Sequence, residues 1–139
     1  MSPLCFFDTN VLVYAADADE PEKQGTAIEL FRSCVDAGAI LLSTQVLQEF
    51  YVTVTRKLAR PLSPASALEA MLKLAALPLV TVTADMIAAA AQLSDRSRMS
   101  FWDALIVRAA AAGGAEVLYS EDLSHDSIVD GVRIVNPFI

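Results

Sequence analysis

Four acidic side chains sit where a packed chain should not want them. Asp8 ends the leading apolar stretch of "LCFFDTNVLVYA", residues 4–15, and Glu49 borders the apolar stripe of 44–58. Asp103 lies in "SFWDALIVR", on the helical face of Ile106 and Val107, and Asp122 follows "EVLYS". An unpaired carboxylate near a core is costly unless it is neutralised or hydrogen-bonded. Two of them ~5 Å apart repel by roughly 3 kcal/mol at an effective dielectric near 20. A cluster of such groups therefore calls for a cation. Oxygen donors from Asp and Glu suit magnesium, with manganese as a second choice, and not zinc; no Cys/His set competes. Spacing alone does not show that the four converge, and each has a plainer use. Asp8-Thr9-Asn10 reads equally as a turn or helix cap, and Asp103 as part of a capping box begun by Ser100. Glu49 reads as a solvated helix residue, and Asp122 as loop polarity in "SEDLSHD".

The elements that must position these acids are legible from apolar runs. Residues 3–7, 39–43, 79–82, 116–120 and 132–135 read as strands, and none alternates polar with apolar, so both faces of the sheet are covered. Pro21 opens a helix that stops before Gly38. Ser63 and Pro64 start another over 64–76, and Thr83 caps an alanine-rich helix reaching about Arg96. Ser100 caps "FWDALIVRAAAA", which ends at Gly113-Gly114. Segment 44–58 contains "YVTVT", which favours a strand. Val46, Leu47, Phe50, Tyr51, Val54 and Leu58 nevertheless share one helical stripe, and the length favours a helix. Alternating strands and helices predict an α/β fold: a three-layer α/β/α sandwich with a mostly parallel five-stranded sheet, in one domain over 1–139. Ligands of such sheets bind beyond the carboxyl ends of the strands, where Asp8 and Asp122 both fall.

Composition narrows the function classes. The chain is 55% apolar and 19% charged, which excludes disorder, and its apolar runs are too short to cross a bilayer. With no leader pattern and two cysteines (Cys5 on a strand, Cys34 on a helix) expected reduced and buried, a cytosolic setting follows. The net charge of −7 argues against tight non-specific binding of nucleic acid, though not against an enzyme that handles it through a bound cation. Arg56 falls seven residues after Glu49 on the same helix edge and is the candidate substrate phosphate contact. Lys57 and Arg60 read as a solvated helix end. Trp102 and Tyr51 have the chemistry to stack on bases, but core packing is the expected use. Tyr14, Phe31 and Leu62 are candidates for a dimer face. Glu121 is expected to face solvent, His125 to lie on a surface loop, and Asp126 to stand outside the central acidic set.

These motifs resemble those of PIN domains. "FFDTNVLVYA" is similar to their opening strand and Asp-Thr-Asn; "LQEFYVTVTRK" looks like their glutamate-bearing helix. "SFWDALIVRAA" resembles their third motif and "LYSEDLSHD...GVRIVNPF" their closing segment, so the likeness runs along essentially the whole chain. The compact length and "NPF" ending look most like VapC-type toxins. The resemblance implies a magnesium-dependent ribonuclease with Asp8, Glu49, Asp103 and Asp122 as its catalytic and metal-binding acids. Thr9, Asn10 and Ser120 would support them, and a small antitoxin and a homodimer partner would be expected. Ser120 stands where many relatives carry threonine. A haloacid-dehalogenase-type phosphatase would need a second acid at Asn10, and a receiver domain a second acid and a late lysine. A PIN-like module that grips RNA or protein without cutting is the remaining rival.

Overall fold

The structure is a computed structural model describing residues 2–139. Six strands alternate with six helices: β1 (Cys5–Phe7), α1 (Thr9–Ala15), α2 (Pro21–Asp36), β2 (Ile40–Ser43), α3 (Thr44–Arg56) and α4 (Pro64–Ala75). After these come β3 (Leu79–Val80), α5 (Ala84–Arg96), α6 (Phe101–Ala112), β4 (Val117–Tyr119), β5 (Ile128–Val129) and β6 (Val132–Val135). They form one sheet in the order β3-β2-β1-β4-β6-β5. Pairing is parallel throughout except between β5 and β6.

The expected α/β architecture holds, with one correction: the sheet has six strands, not five. The addition is the two-residue β5, folded back on β6 through Asp130-Gly131, both at positive φ. Two residues carry no alternation that a sequence pattern could detect. The segment 44–58 is a helix, ending at Arg56, and α1 takes up the apolar run after Asp8.

Every residue of β1 and β2 is buried, as the unbroken apolar runs require. Helices α1 to α4 pack on one another, and α5 packs on α6. Phe6, Phe7, Leu42, Val46, Val54, Val107 and Leu118 lie at the centre of the core. Gly113 marks where α6 closes on the sheet: a Cβ there would run into Leu41 and, at 2.8 Å, Val80. Ser63, Thr83 and Ser100 each cap the helix assigned to them by accepting from an amide three residues on.

Strand order fixes where a site can form. From β1 the chain steps outward to β2 and β3, and from β4 the other way to β6. The β1–β4 junction is thus the point where the winding reverses, which leaves a crevice at the carboxyl ends of those two strands. Among the described residues no helix is long and apolar enough to cross a membrane.

Candidate active site

Asp8 leaves β1 at that junction. Its backbone N–H donates to Tyr119 O of β4 at 2.9 Å, and its carboxylate caps α1 by accepting from Thr9 N at 2.7 Å. Only 5% of Asp8 is exposed. Burial pushes its pKa up to about 7; the Ser120 hydroxyl and the Thr9 amide pull it down, and nearby Glu49 and Asp103 push it further up. Asp103, in the first turn of α6, is likewise raised, chiefly by burial and then by the charges of Asp122 and Glu49, against the lowering effect of Ser100. Asp8 and Asp103 are thus each raised by neighbouring acids, and all four predicted acids line a single cavity of about 800 Å³.

Short polar side chains hold them in place. Ser120, fully buried, donates to Asp8 Oδ2 at 2.8 Å and accepts from Asp122 N at 3.2 Å. Asn10 Nδ2 donates to Asp122 Oδ2 at 3.0 Å and stands 3.4 Å from Asp8 Oδ2; its Oδ1 accepts from Glu121 N at 3.1 Å. Thr9 Oγ1 donates to Glu49 Oε1 at 2.7 Å, and Gln45 Nε2 donates to Glu49 Oε2 at 3.3 Å. Both oxygens of Glu49 are thus occupied, from two different helices. Among the described residues none of the four acids forms an ion pair. No three His, Cys, Asp or Glu side chains among them are close enough, as they stand, to encircle a metal ion. The donors are nevertheless all oxygens, and no cationic side chain is paired with them, which is the chemistry a hard divalent cation fits.

The structure also places the other predicted positions. Arg56 is exposed and outside the cavity lining, whereas Lys57 is within it. Arg56 is the last residue of α3 and Lys57 its C-cap, at φ −110°. Arg60 is paired with Asp19 at 2.8 Å, and Arg96 with Asp130 at 3.4 Å. Trp102, expected in the core, is 62% exposed and lines the cavity, because burial in α6 begins only at Ala104. Tyr51 packs against the core as expected, while Tyr14, Phe31 and Leu62, the candidates for a dimer face, are partly buried against it. Glu121 does not face open solvent: it accepts from Lys23 Nζ at 2.6 Å and from Tyr14 OH at 2.7 Å. Burial alone would raise its pKa, but those two bonds outweigh it and hold the carboxyl below its usual range. Lys23 lies 98 residues from Glu121, beyond the reach of any spacing argument. Gln45 was findable, four residues before Glu49 on one helix face; its Oε1 is buried with no partner.

The PIN domain family model matches residues 5–130, nearly the whole chain. The chain belongs to the PIN domain family. This PIN domain also matches solved structures. One is VapC20 of Mycobacterium tuberculosis, a toxin that cleaves the sarcin–ricin loop: TM-score 0.69 and 24% identity over 85% of this chain and 89% of that one. Another is FitAB bound to the IR36 DNA fragment: TM-score 0.70 and 17% identity over 98% and 96% of the two chains. At those identities the likeness is one of fold. No curated protein matches this PIN domain in sequence.

Proposed function

We propose that this PIN domain is a magnesium-dependent endoribonuclease, the toxin of a toxin–antitoxin pair. The observation that carries the reading is the gathering of Asp8, Glu49, Asp103 and Asp122 around one cavity without an ion pair among them. Family membership and the likeness to a toxin that cleaves the sarcin–ricin loop support it. Magnesium keeps several waters and takes only one or two carboxylates directly, which suits acids that line a cavity without closing into a cage. A magnesium or manganese ion bound there lowers the pKa of a water and stabilises the leaving oxygen of a phosphodiester.

The chain's own residues do the rest. Asp8, Asp103 and Asp122 supply the negative charge that holds the cation. Asn10 and Ser120 fix Asp8 relative to Asp122 across the two strands. Glu49, steadied by Thr9 and Gln45, orients the attacking water. Lys57 takes the phosphate contact that spacing assigned to Arg56. A small antitoxin covers the acidic cavity, and the protein works in the cytosol as a homodimer. Light scattering at micromolar concentration tests the last point: a lone monomer removes it.

The decisive experiment incubates the protein and its Asp8→Asn variant with total RNA, in magnesium and in EDTA. Cleavage by the wild type in magnesium alone, lost in the variant, is expected. Equal cleavage by both proteins removes the assignment, and RNA binding without cleavage by either leaves the non-cutting module.

A further inference from the structure

The cavity has two unlike sides. The acids occupy one, while Val13, Val52, Ile106 and Trp102 give the lining an apolar part. Trp102 is the one member of that part with a large flat surface in water, 62% exposed immediately before Asp103 in sequence. It is also held. Its carbonyl accepts from Gln45 Nε2 at 3.1 Å, and its ring meets Phe101 edge-on, centroids 5.1 Å apart at 80°. An exposed indole costs solvation free energy, and here nothing in the chain's own packing demands the exposure.

Charge says what such a surface is for. Nucleic-acid binding ordinarily draws its affinity from lysines and arginines on phosphates. This chain carries −7 overall, its cavity holds Lys57 among several acids, and Arg60 and Arg96 are engaged in ion pairs. With so little positive charge in the cavity, a contact that does not depend on charge adds affinity beyond Lys57 and a bound cation, and stacking of a base on an aromatic face is such a contact.

We infer that Trp102 is a stacking platform for an unpaired base next to the phosphate held at the acidic cavity, so that the substrate strand must be single-stranded or splayed at the cut. This inference deepens the nuclease reading and rests on it. A base inside a duplex has both faces covered by its neighbours and has none to offer the indole.

The test separates the two claims. Affinity for a fluorescein-labelled single-stranded RNA oligonucleotide is measured by anisotropy in magnesium, in the Asp8→Asn background, with gels of the same samples reporting strand integrity. If the gels show cutting, the nuclease reading falls by itself and the comparison is made in EDTA. Adding Trp102→Ala should weaken binding by ~5- to 150-fold, as loss of one stacked base does. Trp102→Phe should restore most of it, which a merely structural role for the indole would not explain. Because Trp102 is the sole tryptophan, its emission reports the contact directly. Quenching by the single strand, and none by a blunt duplex of the same sequence, is expected. Unchanged affinity in Trp102→Ala, or equal quenching by duplex and single strand, overturns the inference. So does loss of the homodimer in Trp102→Ala with oligonucleotide affinity intact, which would make Trp102 a protein contact.

Discussion

Two groups of aspartates in this molecule meet opposite fates. Around the β5–β6 hairpin every acid has an arginine: Asp130 accepts from Arg108 at 2.9 Å and Arg96 at 3.4 Å, and Asp126 from Arg133 at 2.5 Å. At the β1–β4 junction Asp8, Asp103 and Asp122 have none, although Asp8 is far more buried than any hairpin acid. The hairpin acids are stitching: Asp130 ties a short edge hairpin to α5 and α6, and Asp126 fastens the loop before it to β6. The junction acids are held by hydroxyls and amides, which position a carboxylate without cancelling its charge. A fold that has arginines to spare for its edge and none for its most buried acid has left that charge for something outside the chain.

The contrast is broken most forcefully by removing one acid from each group. Asp8→Asn should lower RNA cleavage by ~100-fold or more, the scale on which a charge-positioning group at a reaction centre acts. Asp130→Asn should leave cleavage rates unchanged. Similar rates in the two variants would erase the distinction.

Stability sharpens it next. Folding raises the pKa of Asp8 from the ordinary 3.8 to about 7, so between those values the native chain binds more protons than the unfolded one. Stability from this group is therefore present at low pH and lost as pH climbs through that window, by roughly 4 kcal/mol without a cation. Asp8→Asn, which keeps the cap and the volume, should raise Tm by several degrees at pH 8 and by little at pH 4. Magnesium should raise the wild-type Tm at pH 8 more than the variant's. Equal Tm shifts at both pH values would remove the buried-charge argument.

Glu121 stands between the two groups, paired like a hairpin acid yet on the cavity's rim. Lys23→Met frees the loop that carries Asp122, and a loss of ~3- to 10-fold in cleavage is expected, below the cost of disturbing a group that touches a metal ligand. Lys23→Arg should recover it. Full activity in Lys23→Met would confine the pair to surface packing. Asp130→Asn itself should cost about 1 kcal/mol, a drop of a few degrees in Tm. Smallest of all, Asp126→Asn breaks an exposed pair and should leave Tm unmoved in a thermal melt.

Much of this was legible before any coordinates. Unbroken apolar runs identified the buried strands, and cap residues located most helix starts, because both depend on local physics. The four acids were legible as anomalies. Their companions were legible only where spacing is local, as with Gln45 before Glu49. Lys23 and Glu121 meet through the tertiary fold, and nothing in either neighbourhood announces the other. Trp102 misled because helical periodicity assigns a face but not whether anything packs over it. Burial in α6 begins only at Ala104, so a residue in its first turn can still stand in water.

The clasp of Asn10 and Ser120 across β1 and β4 also sets an order of events. Asn10 and Asp122 are 112 residues apart, and β1 lacks its second neighbour until β4 has arrived. A ribosome making this chain delivers Asp8, Glu49 and Asp103 before Asp122, so the growing polypeptide cannot assemble the centre until β4 and the loop after it have emerged. Chemistry is thereby postponed until the last acid has folded in beside the first.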